Sequence, residues 1–148
     1  MTLRSLIRTA TAAPIARRPE DPIFTAVDRM AEHDRNAVLV TSGSGLMRGI
    51  VTDQDIIRHL HKQRGRIGEA TVSDAMTRNV VTCPPETSLG GALSLMGRHA
   101  IRHLVVVEGD APVGVLAIRD VLTGLHDQDL LEIDTLRDIA RTTRVLDR

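Results

Sequence analysis

Gly49, Thr52 and Asp55 are the residues of this chain whose types and spacing could do chemistry. They stand as Gly-x-x-Thr-x-x-Asp within Gly49-Ile50-Val51-Thr52-Asp53-Gln54-Asp55. Glycine lets a backbone approach a bound molecule closely. A threonine hydroxyl both donates and accepts, so it can meet a phosphate or ribose oxygen, and a carboxylate can accept two hydrogen bonds from a ribose diol. The apolar pair Ile50-Val51 ahead of Thr52 reads as the end of a strand, and the residues from 53 to 62 read as a helix. A helix N-terminus at this point favours anionic phosphates. The plain alternative is a first-turn acid that complements the helix dipole.

The motif has a second, weaker copy, because the chain is written twice. Residues 19–60 reappear at 85–125. Pro19-Glu20 matches Pro85-Glu86; Ala26, Met30, His33 and Val40 match Ala92, Met96, His99 and Val106; Gly49, Asp55 and Leu60 match Gly114, Asp120 and Leu125. A repeat of this length indicates a duplicated unit whose copies share one core. The Asp120 copy has Ala117 in place of the threonine.

The elements that must position these residues read alike in both copies. A short strand, Pro14-Ile15-Ala16 or Val80-Val81-Thr82, comes first. Asp21 and Thr87 then read as N-caps, with Pro22 at the first helical position. Helical spacing of Ile23, Ala26, Val27 and Met30, and of Leu89, Ala92, Leu93 and Met96, predicts a helix in each. Two β-runs follow (37–40 with 49–51, and 104–107 with 113–116), joined by the turn-rich Ser42-Gly43-Ser44-Gly45 and Glu108-Gly109-Asp110. A second helix closes each unit, at 53–62 and 118–126. The fold class is therefore α+β: a β-α-β-β-α unit repeated, with a pseudo-twofold between copies. The expected organisation is repeat one at 1–65, repeat two at 66–127 and a helical tail at 128–148. Gln63–Ala75 reads as the connection. Leu130, Ile133, Leu136 and Ile139 give the tail an apolar stripe, suited either to lying back on its own domain or to facing a partner.

Bulk properties narrow the function. Net charge is +0 with pI ≈ 7.0, so no basic field points to nucleic acid. Phe24 is the sole aromatic residue, which removes stacking platforms for bases. Cys83 alone permits neither an internal disulfide nor a cysteine metal cluster, and reads as a small buried thiol. No apolar run approaches a membrane span. Arg4, Arg8, Arg17 and Arg18 without an acid look like a transit peptide. However, Ala13–Arg18 stands in register with Asn79–Pro84 and reads as a strand, so the cytoplasm is the expected location. His59 and His61 are two apart on a helix, the wrong spacing for a shared metal, and Asp53 and Asp55 likewise do not share a face. No nucleophile with a nearby base is present in the pattern, so no catalytic residues, no metal and no required cofactor are expected. His33 and His99 recur at one helix position, which favours a structural role.

The doubled unit resembles the CBS-domain pair (cystathionine-β-synthase domains, the Bateman module). The matching stretches are Gly49–Ile57, Gly114–Leu122, Ile101–Val107 as the second strand, and Asp74–Thr82 as the entry to a second repeat. The resemblance spans about residues 10–126. It implies a flat disc with two clefts that bind adenosine-containing ligands: AMP, ADP, ATP, S-adenosylmethionine or NAD. It further implies that each motif works with the first and second strands of the other repeat. Gly49, Ile50, Val51, Thr52, Gln54 and Asp55 would then face Val80, Val81, Arg102 and His103. That cleft would offer an apolar wall for adenine, a diol acceptor and two basic groups for phosphate. The opposite cleft would combine Gly114, Ala117, Arg119 and Asp120 with Ile15, Asn36 and Ala37, without the hydroxyl and both bases, so one competent site is expected on the Asp55 side. If the strands serve their own motif instead, the bases land beside Asp120. Val105 departs from a proline common at its place in the family. The expected function is a free-standing, non-catalytic adenine-nucleotide sensor, homodimeric or acting on a regulated protein partner. The alternative is a ligand-free oligomerisation scaffold.

Overall fold

Uninterrupted apolar runs such as Ala37-Val38-Leu39-Val40 and Leu104-Val105-Val106 commit both faces of each sheet to burial. In the computed structural model, which describes residues 1–9 and 16–146, the elements are α1 (Leu3–Thr9), β1 (Ala16–Arg17), α2 (Ile23–His33), β2 (Ala37–Thr41), β3 (Met47–Thr52), α3 (Asp53–Lys62), α4 (Val72–Ala75), β4 (Thr82–Cys83), α5 (Leu89–His99), β5 (His103–Glu108), β6 (Ala111–Ala117) and α6 (Ile118–Leu146). They form two three-stranded sheets, β1-β2-β3 and β4-β5-β6, each with a parallel first pair and an antiparallel second pair. A bulge breaks the register at Val40/Thr41 and again at Val106/Val107, the same place in both copies.

Because successive side chains on a strand point to opposite faces, Val38, Val40 and Val51 pack with Ala26 and Met30 of α2. Ala37, Leu39 and Ile50 turn the other way, to Val105 of the second sheet. The second copy repeats this: Leu104, Val106 and Leu116 face Leu89, Ala92 and Met96 of α5. The result is three apolar layers, of which the middle one is the seam between the copies.

Two elements are absent from the sequence-based expectation, and they cross between the halves. Helix α4 precedes β4 but packs on repeat one: Val72 is fully buried in the α2 core, its N–H donates to the Asp21 carbonyl (2.8 Å), and Ser73 N–H donates to that of Pro19 (2.9 Å). Helix α1 precedes β1 but packs on repeat two. Leu3 is fully buried beside Leu89 and Val121, with Leu3 N–H on the Thr87 carbonyl (2.9 Å) and Arg4 N–H on that of Pro85 (2.9 Å). The Arg4 guanidinium also meets Glu86, and Glu108 at 2.9 Å. The stretch from 63 to 75 is thus a packed part of repeat one as well as a connection.

Other boundaries shift for physical reasons. Helix α2 begins at Ile23 with Pro22 as its N-cap, and α5 begins at Leu89, where Ser88 Oγ accepts from Gly91 N–H (3.0 Å). Asp21 instead accepts from Arg18 N–H, closing the turn before the helix. The first strand is described from Ala16 onward; Ile15 lies outside the described residues. His33 and His99 are exposed in the last turns of α2 and α5, where they complement the helix dipole and are not part of the core. The tail is no separate element: α6 runs unbroken from Ile118 to Leu146, and every described side chain from Asp129 to Thr142 is exposed. It does not lie back on the domain.

Leu3→Ala should cost about 2–5 kcal/mol, the usual range for emptying a filled core site. The loss should appear as a lower urea midpoint with unchanged slope. Retained stability would mean that α1 is not part of the second core.

Candidate ligand-binding clefts

The end of β3 and the start of α3 are held by a reciprocal cap. Thr52 is the N-cap of α3; its Oγ1 accepts from Asp55 N–H (3.3 Å), and Asp55 Oδ2 accepts from Thr52 N–H (2.9 Å) and from the Thr52 hydroxyl (3.2 Å). Asp55 Oδ1 accepts from Thr77 Oγ1 (3.0 Å) and from Arg58 (3.4 Å). Asp55 is 6% exposed, and it is the buried charged residue of the described core. Both carboxylate oxygens are therefore engaged by the chain itself.

Thr77 is held there by β3. Its N–H donates to the Ile50 carbonyl (2.8 Å) and its carbonyl accepts from Ile50 N–H (2.9 Å). Gly49 makes this possible, since a Cβ there would sit 2.5 Å from the Thr77 oxygen and 3.1 Å from Met76 Sδ. The close approach that Gly49 permits is made by the segment after α4, not by a ligand.

A small cleft of about 120 Å³ opens beside Asp55. Of the residues expected there, Ile50, Thr52, Gln54, Asp55, Val80, Val81, Arg102 and His103 border it. Gly49 and Val51 do not: Gly49 lies under Thr77, and Val51 is fully buried on the α2 side. Thr77, Arg58, Asn79 and Ile101 also border it without having been singled out from the sequence. Arg58 carried a signal, standing three residues after Asp55 on one helix face.

The second cleft is larger, about 650 Å³, and its described lining includes Asn36, Ala37, Val115, Ala117, Arg119 and Asp120. Asp120 Oδ2 accepts from Ala117 N–H (2.9 Å), half of the cap seen at Thr52, with no hydroxyl to complete it. Gly114 is buried in β6 opposite Val106, away from this cleft. The cleft does not lack basic groups: Arg35, Arg102 and His103 border it too. His103 begins β5 opposite Ala117, and Arg102 precedes the strand, so both stand at the line where the clefts meet. The two expectations for these bases, one cleft or the other, resolve into a shared edge. Among the described residues no cluster of histidine, cysteine and carboxylate could hold a metal ion, and no helix is long and apolar enough to cross a membrane.

Burial pushes the His103 imidazole below its ordinary proton affinity; Asp53 and Asp120 oppose that shift, Arg102 adds to it, and Asp55 opposes it more weakly. Burial likewise raises Cys83, which is a buried thiol.

Comparison with known proteins gives a consistent neighbourhood. The protein-family model described as the CBS domain matches residues 18–62 and 72–127. The chain is 33% identical over 119 residues to the CBS domain-containing protein YhcV of Bacillus subtilis, covering 80% of this chain and 84% of that one. Against the CBS domain-containing protein CBSX3, mitochondrial, of Arabidopsis thaliana, identity is 30% over 122 residues, covering 79% of this chain and 59% of the plant protein. The crystal structure of the CBS-domain containing protein ATU1752 from Agrobacterium tumefaciens superposes with TM-score 0.80 at 27% identity, covering 84% of this chain and 98% of that one. The CBS domain pair of protein MJ0100, solved in complex with 5-methylthioadenosine and S-adenosyl-L-methionine, shares the fold with TM-score 0.76 at 21% identity, over 86% of this chain and 98% of that one.

The lowered His103 predicts a pH effect of definite sign. As pH falls below the ordinary histidine range near 6.5, the unfolded chain takes up this proton before the folded one does. Stability contributed by neutral His103 is thus complete above that range and declines as pH drops toward the depressed folded value. His103→Asn should flatten the fall in urea stability as pH drops below about 6.5. An unchanged slope would show that another group is responsible.

Proposed function

Because this chain belongs to the CBS-domain family, we propose that it is a non-catalytic sensor that binds an adenine nucleotide in the Asp55-side cleft and acts as a homodimer or on a protein partner. One observation carries the reading: an apolar wall of Ile50, Val80, Val81 and Ile101 stands beside the buried Asp55 carboxylate, with Arg102 and His103 at the rim. Adenine lies against the wall, the ribose diol donates to Asp55, and phosphates run toward Arg102, where the larger polar cleft begins. The adenosine complex of the MJ0100 pair supports the ligand class.

A volume of about 120 Å³ is well below the several hundred usual for a small-molecule site. Binding therefore requires opening, and the diol must displace the Thr77 hydroxyl from Asp55 Oδ1. Thr77 is tied to β3 and follows α4, so ligand entry pulls on the segment that clasps repeat one. The same geometry favours one competing reading: a carboxylate already satisfied by its own chain suits a ligand-free scaffold.

Thermal unfolding with AMP, ADP, ATP, NAD and S-adenosylmethionine separates the two. A ligand at about 100 times its dissociation constant adds roughly 2.7 kcal/mol, on the order of 5–10 °C at this chain length. That increment should vanish in Asp55→Ala, whose ligand-free midpoint also falls because the cap of α3 is lost. No increment for any nucleotide would favour the scaffold. Thr77→Val, which removes a competitor for Asp55, should tighten the responding nucleotide about fivefold to tenfold by calorimetry, the worth of one hydrogen bond. Weaker binding would make Thr77 a ligand contact.

A further inference from the structure

One imidazole borders both clefts and is anchored to neither. His103 begins β5 opposite Ala117 and lines the small cleft and the larger one alike. It is half-buried, and among the described residues its ring makes no hydrogen bond or ion pair. Charges face it from several sides. Asp53 and Asp55 come from α3, Asp120 and Arg119 from the start of α6, and Arg102 precedes it in the chain. Across the larger cleft stand His33, Asp34 and Arg35 at the end of α2, while β6 brings only the uncharged Val115 and Ala117. The carboxylates nearby are turned to other work: Asp53 accepts from Gln54 N–H, Asp120 from Ala117 N–H, and Asp55 from Thr52, Thr77 and Arg58. Burial keeps the ring neutral at neutral pH, against the pull of Asp53 and Asp120 and with the help of Arg102.

We propose that a phosphate-bearing ligand at this edge loads a proton onto His103, so that the protein reads acidity and nucleotide together. The proposal rests on the nucleotide reading above and adds a second input, the proton, to the same site. Phosphate oxygens beside Arg102 neutralise the like charge that opposes an imidazolium. They also bring an anionic acceptor to contact distance, which no carboxylate of the described chain does. A hydrogen bond between ionised partners is roughly twice as strong as a neutral one. The proton comes from solvent, stays on the ring and is shared with a phosphate oxygen; no covalent bond forms. Adenosine without phosphate supplies neither the countercharge nor the acceptor, and covering the ring keeps it neutral. His103 is thus a specificity-determining residue, which separates phosphate-bearing ligands from phosphate-free ones more sharply as the medium turns acid. The sign follows from linkage: affinity rises as pH falls from the proton affinity of the ligand-bound ring to that of the free one.

The test is calorimetric titration of the intact protein with AMP, ADP, ATP and NAD between about pH 8 and pH 6, with NMR of the assigned His103 ring in the same samples and adenosine as the phosphate-free control. A countercharge at contact distance moves a titrating group by about 1–3 pH units, so the dissociation constant of a binding nucleotide should fall at least about tenfold toward the acid end. The ring should titrate at higher pH in that complex than in the free protein, and adenosine should produce neither effect. The ligand cannot imitate this, because a phosphate monoester takes up its own second proton near pH 6 and loses charge, which weakens binding. His103→Asn should bind with a flat or reversed pH profile. A nucleotide that binds without moving the His103 titration, an equal movement with adenosine, or an acid-strengthened affinity that survives in His103→Asn would each overturn the proposal and leave the sensor reading standing. No binding of any nucleotide at either pH would overturn both. If His103→Asn does not fold, the ring titration of the natural chain decides alone.

Discussion

The molecule depends on the seam where Ala37, Leu39 and Ile50 meet Val105. Among the described residues each sheet has three strands, and the first strand of each contributes only two residues. Such a sheet with a helix layer on one face and water on the other would bury too little to persist. The seam supplies the second buried face to both sheets at once. It also fixes where the clefts lie. Apolar contact runs out at the ends of β3 and β6, and there the strand-to-helix junctions turn polar, with Thr52 and Asp55 on one side and Ala117 and Asp120 on the other.

The duplication was legible because its apolar pattern repeats with its turns and helix spacing. That pattern foretold the β-α-β-β-α order of each unit and the start of α3 at Asp53. Elements whose reason is tertiary were not legible. Residues 3–9 and 72–75 form single turns or little more, and they are helical because Leu3 and Val72 fill holes in the opposite copy. No local signal announces that. The tail stands apart in the sequence because its apolar stripe of Leu130, Ile133, Leu136 and Ile139 lies beyond the end of the repeat; the backbone nevertheless passes from the repeat into it unbroken. At the cleft, residue types were read from the motif itself, so Thr77, twenty-two positions from Asp55, escaped notice. Gly49 was correctly read as a close approach, but the approaching group is the chain.

The two halves have diverged where they matter most. Thr52 completes a cap around a buried carboxylate, whereas Ala117 leaves Asp120 half-buried with one backbone donor. Arg102 and His103 have as counterparts Asn36 and Ala37, so the shared edge takes its basic groups from one copy only. A symmetric fold has thereby acquired one small cleft and one larger, more polar cleft, with Asp53, Arg102 and His103 bordering both.

The crossing of α1 and α4 has a consequence for how the chain is made. During synthesis, at roughly 5–20 residues per second, α1 leaves the ribosome long before its docking site exists, since that site needs Leu89, Leu116 and Val121. Repeat one cannot close until Val72 has emerged. Leu3, Leu6 and Ile7 are therefore exposed to water for seconds, a hydrophobic segment without a home that a nascent-chain chaperone can hold. Native structure arrives late and from both ends, as the last helix of the second copy closes over the first helix of the chain.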